Sequence, residues 1–267
     1  MSNILEKIPE MSQSDMELLR SNALRILNEN KSPQTALHAE EVLAAIDEQL
    51  VKRYLPGMIK TFYEVYPGGF SGEKQAEEER NYKLAACNKF AELLSEESFE
   101  ALLAEQGYDE LFQRVSHLVG MTNFIQGSYE KPKFLSNIQE PGHLVKFYPA
   151  LFQVLYGNKT KVERFADWCA VLENIGLAKW TYATYFVFLA DPESSMFVKP
   201  EMLKKSIDLC KYPLEYESAP SAALYKEILS FSDWLKSKIS ELEPRDMIDV
   251  HSFMWHMAPT GKWAEDA

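Results

Sequence analysis

Apolar residues recur at intervals of three and four along most of the chain, which is the spacing of one face of an α-helix. Two short runs, 186–189 and 214–216, offer strand-like alternatives, and the first lies inside a longer helical segment. Helices are predicted over residues 15–28, 33–55, 73–94, 96–106, 108–119, 142–156, 161–173, 180–190, 200–210, 219–242 and 245–256. The pattern therefore predicts an all-α protein, a multi-helix globular bundle of about ten helices.

Capping and breaking residues divide the predicted helices into two parts. Ser14 and Ser32 are suited to be N-caps of the first two long helices, and Pro33 suits a first helical position. Pro56, followed by glycine, is expected to end the second helix because proline lacks the amide hydrogen of a continuing helix. We predict an N-terminal helical hairpin or arm at residues 1–66 and a helical core domain at residues 67–267.

The hexapeptide PGGFSG at residues 67–72 is the densest turn signal in the chain. Its glycines could bring backbone amides close to a phosphate group. The hexapeptide lacks the GxxxxGK[ST] spacing, however, and no β-branched strand precedes it. A structural loop is therefore the favoured interpretation.

Composition and charge limit the classes of function. The 267 residues are 46% hydrophobic and carry a net charge of −12, as in an acidic globular protein. This charge disfavours a general nucleic-acid binder and leaves open a local basic patch in the near-neutral C-terminal half. No apolar run approaches the roughly 20 residues that cross a bilayer, so no membrane association is expected. Widely spaced Cys87, Cys169 and Cys210 favour reduced thiols and a cytoplasmic location.

The sequence contains no recognised catalytic, cofactor or metal signature. A GxSxG nucleophile elbow is absent, and no cofactor is expected. His251 and His256 are five residues apart, which places them on different helix faces. Asp246 and Asp249 could join His256 in a metal site, but a polar helix surface is the favoured interpretation and no metal is predicted. These observations favour a protein that is not an enzyme.

Residues 172–212, LENIGLAKWTYATYFVFLADPESSMFVKPEMLKKSIDLCKY, resemble the hairpin segment of helix-hairpin-helix DNA glycosylases. In those enzymes a Leu-Pro-Gly-Ile/Val-Gly hairpin presents backbone amides to a DNA phosphate. Leu172, Ile175 and Gly176 match this pattern. Glu173 and Asn174 stand where the family has its proline and first glycine, which places a negative charge beside the expected phosphate position.

The same resemblance bears on chemistry, because a catalytic aspartate follows the next helix in those enzymes. Lys199 stands near that position here, so the resemblance implies nucleic-acid association in repair or defence without glycosylase chemistry. The candidate nucleic-acid-binding residues are Gly176, Lys179, Thr181, Lys199, Lys204 and Lys205.

A second resemblance extends over most of the chain. The segments MELLRSNALRIL, TNFIQGSYEK, WTYATYFVFLADPESSMFVKP and PRDMIDVHSFMWHM occur in this order and resemble a family of bacterial proteins of similar length with no established activity. Because these segments carry no catalytic signature, the resemblance implies no mechanism. The first functional hypothesis is a noncatalytic cytoplasmic helical protein that binds a protein partner through a groove or apolar patch in the C-terminal half. The oligomeric state is left open.

The aromatic residues indicate which helices form the core. Tyr182, Tyr185, Phe186 and Phe188 would cover most of the circumference of one helix, so that helix is predicted to be buried. The last helix also carries a heavy apolar load, and we expect it to dock against the core with Phe253 and Trp255 largely buried. Arg245, at its start, is expected to pair with a nearby carboxylate.

Overall fold

The computed structural model describes residues 4–29 and 32–257, and within these ranges it is all-α with no strand. The helices are α1 (Ile4–Lys7), α2 (Gln13–Asn28), α3 (Pro33–Val65), α4 (Glu73–Gln75), α5 (Asn81–Leu93), α6 (Glu96–Ala104), α7 (Tyr108–Gly120), α8 (Glu130–Ile138), α9 (Pro141–Tyr156), α10 (Lys161–Asn174), α11 (Trp180–Ala190), α12 (Pro200–Cys210), α13 (Ala222–Lys238) and α14 (Met247–Met257). A π-helical segment, Ala76–Arg80, joins α4 to α5. The predicted all-α bundle is confirmed.

Side-chain caps start several of these helices. Ser32 accepts a hydrogen bond from an amide of the first turn of α3, as predicted, and Ser95 does the same for α6. Ser12, and not the predicted Ser14, caps α2, since its Oγ accepts from the Asp15 amide at 3.2 Å. Thr160 forms a capping box with α10, which satisfies backbone amides that have no helical partner.

The prediction that Pro56 ends the second helix is wrong, because α3 continues through Pro56 and Gly57 to Val65. Both residues lie on the exposed face of the helix, where water can bond the carbonyl that proline leaves without a partner. The buried face continues on both sides of them, from Leu50 to Ile59. Tertiary packing on this face therefore outweighs the local helix-breaking tendency.

The N-terminal helices have a small apolar cluster of their own. The two long helices α2 and α3 pack against each other, and this cluster contains Ile8, Met16, Ala23, Ala39, Val42, Ile46 and Leu50. Leu55, Ile59 and Phe62, farther along α3, belong to the main core instead. Long α3 thus contributes to both clusters, and the division into two domains at residue 66 stays a prediction.

Two helices, α1 and α8, were not expected from the sequence. Short α8 contains Pro132 as its third residue, and its apolar pattern is limited to Phe134, Leu135 and Ile138. Proline is tolerated in the first turn because the amides there have no helical acceptor in any case. Phe134 and Ile138 are fully buried against the main core.

Helix α11 forms the centre of the main core, as its aromatic residues predict. Tyr182, Tyr185, Phe186 and Phe188 are all buried, with at most 1% of each side chain exposed. The buried indole of Trp168 on α10 donates from Nε1 to the Ala183 carbonyl at 3.0 Å. Within residues 4–29 and 32–257, no helix is both long enough and apolar enough to cross a membrane.

The PGGFSG segment is a tight structural turn that leads from α3 to α4. Gly68 and Gly69 have φ values of +91° and +60°, which side chains rarely adopt. A Cβ atom at Gly72 would lie 2.5 Å from the Pro67 carbonyl oxygen. Phe70, inside the turn, is buried in the main core. The glycines therefore allow the backbone at the two ends of the turn to approach closely.

The C-terminal helix α14 docks into the core largely as expected. Met247, Ile248 and Phe253 are buried, with 2%, 0% and 0% exposed. Trp255 is only half-buried, so the expectation for this residue was too strong. The difference arises because Trp255 lies near the surface, where the Lys199 ammonium is positioned over the Trp255 ring.

Removal of α14 should unfold the protein. A chain ending at Leu242 would uncover a core surface that Ile248, Phe253 and Met254 now fill, and loss of one such side chain costs about 2–5 kcal/mol. We expect this truncated chain to aggregate or to lose its cooperative thermal transition, as measured by circular dichroism and size-exclusion chromatography. A soluble truncated chain that melts like the full chain would show that α14 is an appendage.

Candidate functional site

A layer of charged side chains is buried where α14 meets the π-helical segment and α5. On the segment Ala76–Arg80, Glu77 and Glu78 are exposed, whereas Glu79 and Arg80 turn into the protein. A π-helical turn contains more residues than an α-helical turn and is frequent at functional sites. This layer is therefore a candidate functional site.

Arg80 forms the centre of the layer. Its Nη1 atom donates to Asp246 Oδ1 and to Asp249 Oδ1, both at 2.9 Å, and its Nη2 atom donates to Asp246 Oδ2 at 2.7 Å. Arg245 donates from Nε to Asp249 Oδ2 at 2.8 Å and from Nη2 to the Phe70 carbonyl at 2.8 Å. The predicted pairing of Arg245 with a carboxylate is confirmed. Two arginines and two aspartates thus neutralise one another.

A second polar group adjoins the arginine–aspartate layer. The Lys83 ammonium, which is fully buried, donates to Glu79 Oε2 at 2.6 Å and to Ser252 Oγ at 2.9 Å. Glu79 Oε1 lies 3.4 Å from His256 Nε2, and the Tyr66 hydroxyl lies 2.7 Å from the same nitrogen. Which of these atoms carries the shared proton depends on the histidine tautomer.

Burial and pairing shift the ionisation of these groups in defined directions. Burial alone would raise the pKa of Glu79, but the hydrogen bond from His256 and the Lys83 ammonium lower it to about 2. Complete burial lowers the pKa of Lys83, against the opposing effect of Glu79. Burial raises the pKa of Tyr66 above its usual value. Such shifts occur at catalytic sites and in structural ion-pair networks alike.

His251 lies next to this group among aromatic rings, and neither of its ring nitrogens has a hydrogen-bond partner. Its ring centroid is 5.2 Å from that of Phe124 and 5.7 Å from that of Phe197. Burial, followed by the nearby Lys83 charge, lowers the pKa of His251 well below its ordinary value. The imidazole is therefore neutral at physiological pH.

Of the predicted nucleic-acid-binding lysines, Lys199 lies near this layer. The Lys199 ammonium is 4.4 Å from the centroid of the Trp255 ring, and burial lowers its pKa. Within the described residues it has no carboxylate at ion-pair distance. Lys179 donates from Nζ to Glu130 Oε1 at 2.8 Å. Glu130 also acts electrostatically on Lys199, so the structure brings both lysines near one acid.

Gly176 belongs to the turn between α10 and α11, and that turn uses its own amides. Gly176 has a φ of +72°, and its amide donates to the Glu173 carbonyl at 3.0 Å. The Leu177 amide donates to the Leu172 carbonyl at 2.7 Å, and the Ile175 amide to Val171 at 3.1 Å. This is the Schellman arrangement that ends many helices. Three amides of the hairpin are therefore engaged within α10 and are not presented outward.

The other predicted residues lie on α11 and α12, and the nucleic-acid surface that they were assigned to stays a prediction. Thr181 is buried, and its hydroxyl has no hydrogen-bond partner. Lys204 lies on α12, where its Nζ atom is 2.5 Å from Glu201 Oε1 and 5.7 Å from the centroid of the Tyr216 ring. Lys205 is exposed on the same helix.

A separate apolar recess opens between α9, α10, α11 and α13. Its volume is about 140 Å³, and its walls include Val154, Phe165, Val187 and Leu229. Val162 at its edge is 49% exposed, so the apolar lining continues to the surface. The sequence predicted a groove or apolar patch in the C-terminal half but could not place it, because four helices contribute to its walls.

Polar groups surround the apolar walls of the recess. The Lys161 ammonium donates to Asp191 Oδ2 and to Ser194 Oγ, both at 2.9 Å. Tyr225 lies in the lining, and its hydroxyl bonds the Met196 backbone at 3.1 Å. Arg164 and Lys226 complete the charged lining. The recess thus combines an apolar interior with a charged rim, which is the composition of many binding sites.

Sequence reasoning missed the residues Glu79, Arg80 and Lys83. Within the predicted helix over 73–94, the aromatic Tyr82 is only half-buried, whereas its neighbour Lys83 is fully buried. Lys83 and Cys87 share the buried face of α5 with Ala86 and Phe90. Charged residues spaced like a helix face were the available signal, but without the three-dimensional partners they indicate a solvated surface.

No protein-family model, curated protein or solved structure matches the chain. The two resemblances seen in the sequence therefore stay predictions. In the part of the chain that the structure describes, no group of three or more His, Cys, Asp or Glu side chains is arranged to hold a metal ion.

Replacement of His251 by leucine should make the protein less sensitive to mild acid. The folded-state pKa is depressed, so the unfolded chain takes up a proton first as the pH falls through about 6.5, and stability is lost below that value. The His251→Leu substitution should therefore be more favourable at pH 5.5 than at pH 8 by about 1.4 kcal/mol. Urea denaturation at both pH values measures the difference, and an equal effect at both would contradict the assignment.

Proposed function

We propose that this protein binds a macromolecular partner, and that an apolar side chain of the partner enters the recess between α9, α10, α11 and α13. The observation that supports this function most directly is an open recess whose walls are apolar and whose rim is charged. Exposed Val162 extends the apolar lining outward, so a larger surface can pack around the inserted side chain.

The size of the recess favours a side chain over a free small molecule. A cavity of roughly 150 Å³ holds a benzene molecule, whereas small-molecule sites usually measure about 300–1,000 Å³. The volume of about 140 Å³ therefore suits one large apolar side chain. Protein interfaces place such anchors in well-packed pockets, where they supply much of the binding energy.

The charged layer at α14 supports a noncatalytic role. Its arginines pair with its aspartates, and Lys83 pairs with Glu79, so the ionised groups satisfy one another inside the fold. The hairpin after α10 gives less support to nucleic-acid binding, because three of its amides are engaged in the helix cap. Cys87, Cys169 and Cys210 are free and buried, which is compatible with the cytoplasmic location that we include in the proposal.

Filling the recess should abolish partner binding without unfolding the protein. Ala190 lies exposed at the edge of the recess, so its replacement by tryptophan can cover the opening. Ala101→Trp places the same side chain on an exposed position of α6 and is the matched control. We expect quantitative mass spectrometry of proteins captured from a native lysate to show at least one protein retained by the wild type and by Ala101→Trp and lost with Ala190→Trp.

The proposal would be contradicted if the three forms, folded equally well by circular dichroism, captured the same proteins in the same amounts. Loss of capture with both tryptophan variants would also contradict it, because the effect would then not depend on the recess.

A further inference from the structure

The charges that line the recess indicate what kind of segment it binds. We propose that the occupant is an acidic peptide segment, with one large apolar side chain flanked by aspartate or glutamate residues. This inference rests on the proposed function and adds the chemistry of the partner to it.

Three cations and one anion line the recess: Lys161, Arg164 and Lys226 against Asp191. Asp191 is used by Lys161, whose Nζ atom lies 2.9 Å from Asp191 Oδ2. Within the described residues, neither Arg164 nor Lys226 has a carboxylate at ion-pair distance. Two positive charges at the rim are therefore left uncompensated.

The guanidinium of Arg164 is held in place beside the recess. Its Nη1 atom donates to the Leu155 carbonyl at 2.6 Å, which fixes the guanidinium beside the recess. Its Nε atom is buried and has no acceptor in the described structure. Because this Nε atom is buried, it does not reach an incoming carboxylate, and Arg164 contributes to the rim through the positive charge of its guanidinium.

The acids nearest in sequence to Arg164 are occupied elsewhere. Glu163 accepts from the Thr160 amide and hydroxyl at the start of α10. Asp167 lies 2.7 Å from the Lys159 ammonium. Neither carboxylate lines this recess, and Asp167 instead lines a neighbouring recess with Lys159 and the other side of Arg164.

This positive rim contrasts with the chain as a whole, which carries a net charge of −12. The net negative charge acts against an acidic segment at long range, whereas the cations of the rim attract it at the recess, so charge favours one orientation of binding. The apolar walls then receive the anchor side chain while the flanking carboxylates meet Arg164 and Lys226. Charge complementarity and the volume of the recess together indicate this occupant.

Two synthetic peptides test the inference on the full chain. The first is acetyl-Glu-Glu-Phe-Glu-Glu-amide and the second is its glutamine counterpart, which keeps the anchor and removes the charge. At about 50 mM salt, where surface charges are weakly screened, calorimetry should show about tenfold tighter binding of the acidic peptide. Lys226→Gln should reduce that ratio to about threefold, and the exposed Lys60→Gln on α3 should leave it unchanged.

Additional measurements with a variant, a small molecule and the chain alone distinguish between the outcomes. Ala190→Trp should prevent binding of both peptides if they use the recess. Equal affinities for the two peptides would overturn the acidic-segment inference and leave the proposed function standing. Binding of decanoate but of neither peptide would overturn it in favour of a small alkyl carboxylate. A concentration-dependent dimer that Ala190→Trp dissociates, seen by analytical ultracentrifugation, would assign the recess to a second copy of the chain and overturn the inference as well.

Discussion

The ion pairs of Arg80 with Asp246 and Asp249 constrain the rest of the structure. All three side chains are buried, and they connect the π-helical segment to α14 across more than 160 residues of sequence. Loss of one partner from a buried pair costs about 3–5 kcal/mol, against a total stability of roughly 5–15 kcal/mol for a typical protein. Helix α14 must therefore stay docked, and its apolar face keeps the core closed.

The ion pairs of Arg80 also explain why the charges of the polar layer are held in fixed positions. Each charge in the layer is compensated by an opposite charge, so removal of one would leave its partner buried and unpaired at a large energetic cost. Lys83, Glu79 and His256 extend the same layer towards the surface. The recess beside α10 differs, because its walls are apolar and, within the described residues, Arg164 and Lys226 at its rim have no carboxylate at ion-pair distance.

The helices could be predicted from the sequence because apolar periodicity and caps are local signals. Helix α3 continues through Pro56 because the opposite face of the helix is packed against the core. Local sequence patterns do not reveal such packing. Local sequence assigns a lysine to the surface, so the burial of Lys83, which depends on its partners Glu79 and Ser252, could not be predicted. Arg245 was matched to a carboxylate correctly because its partner Asp249 lies only four residues away. The recess requires four helices, so no single segment reveals it.

The most direct test of this account is a double-mutant cycle on Arg80 and Asp246, measured by urea denaturation with Arg80→Met, Asp246→Asn and the combined variant. If the buried pair holds α14 in place, each single substitution should cost about 3–5 kcal/mol, and the double substitution should cost less than their sum by more than about 1 kcal/mol. Single substitutions that cost little, or costs that add within about 0.5 kcal/mol, would contradict the claim that the fold depends on this pair.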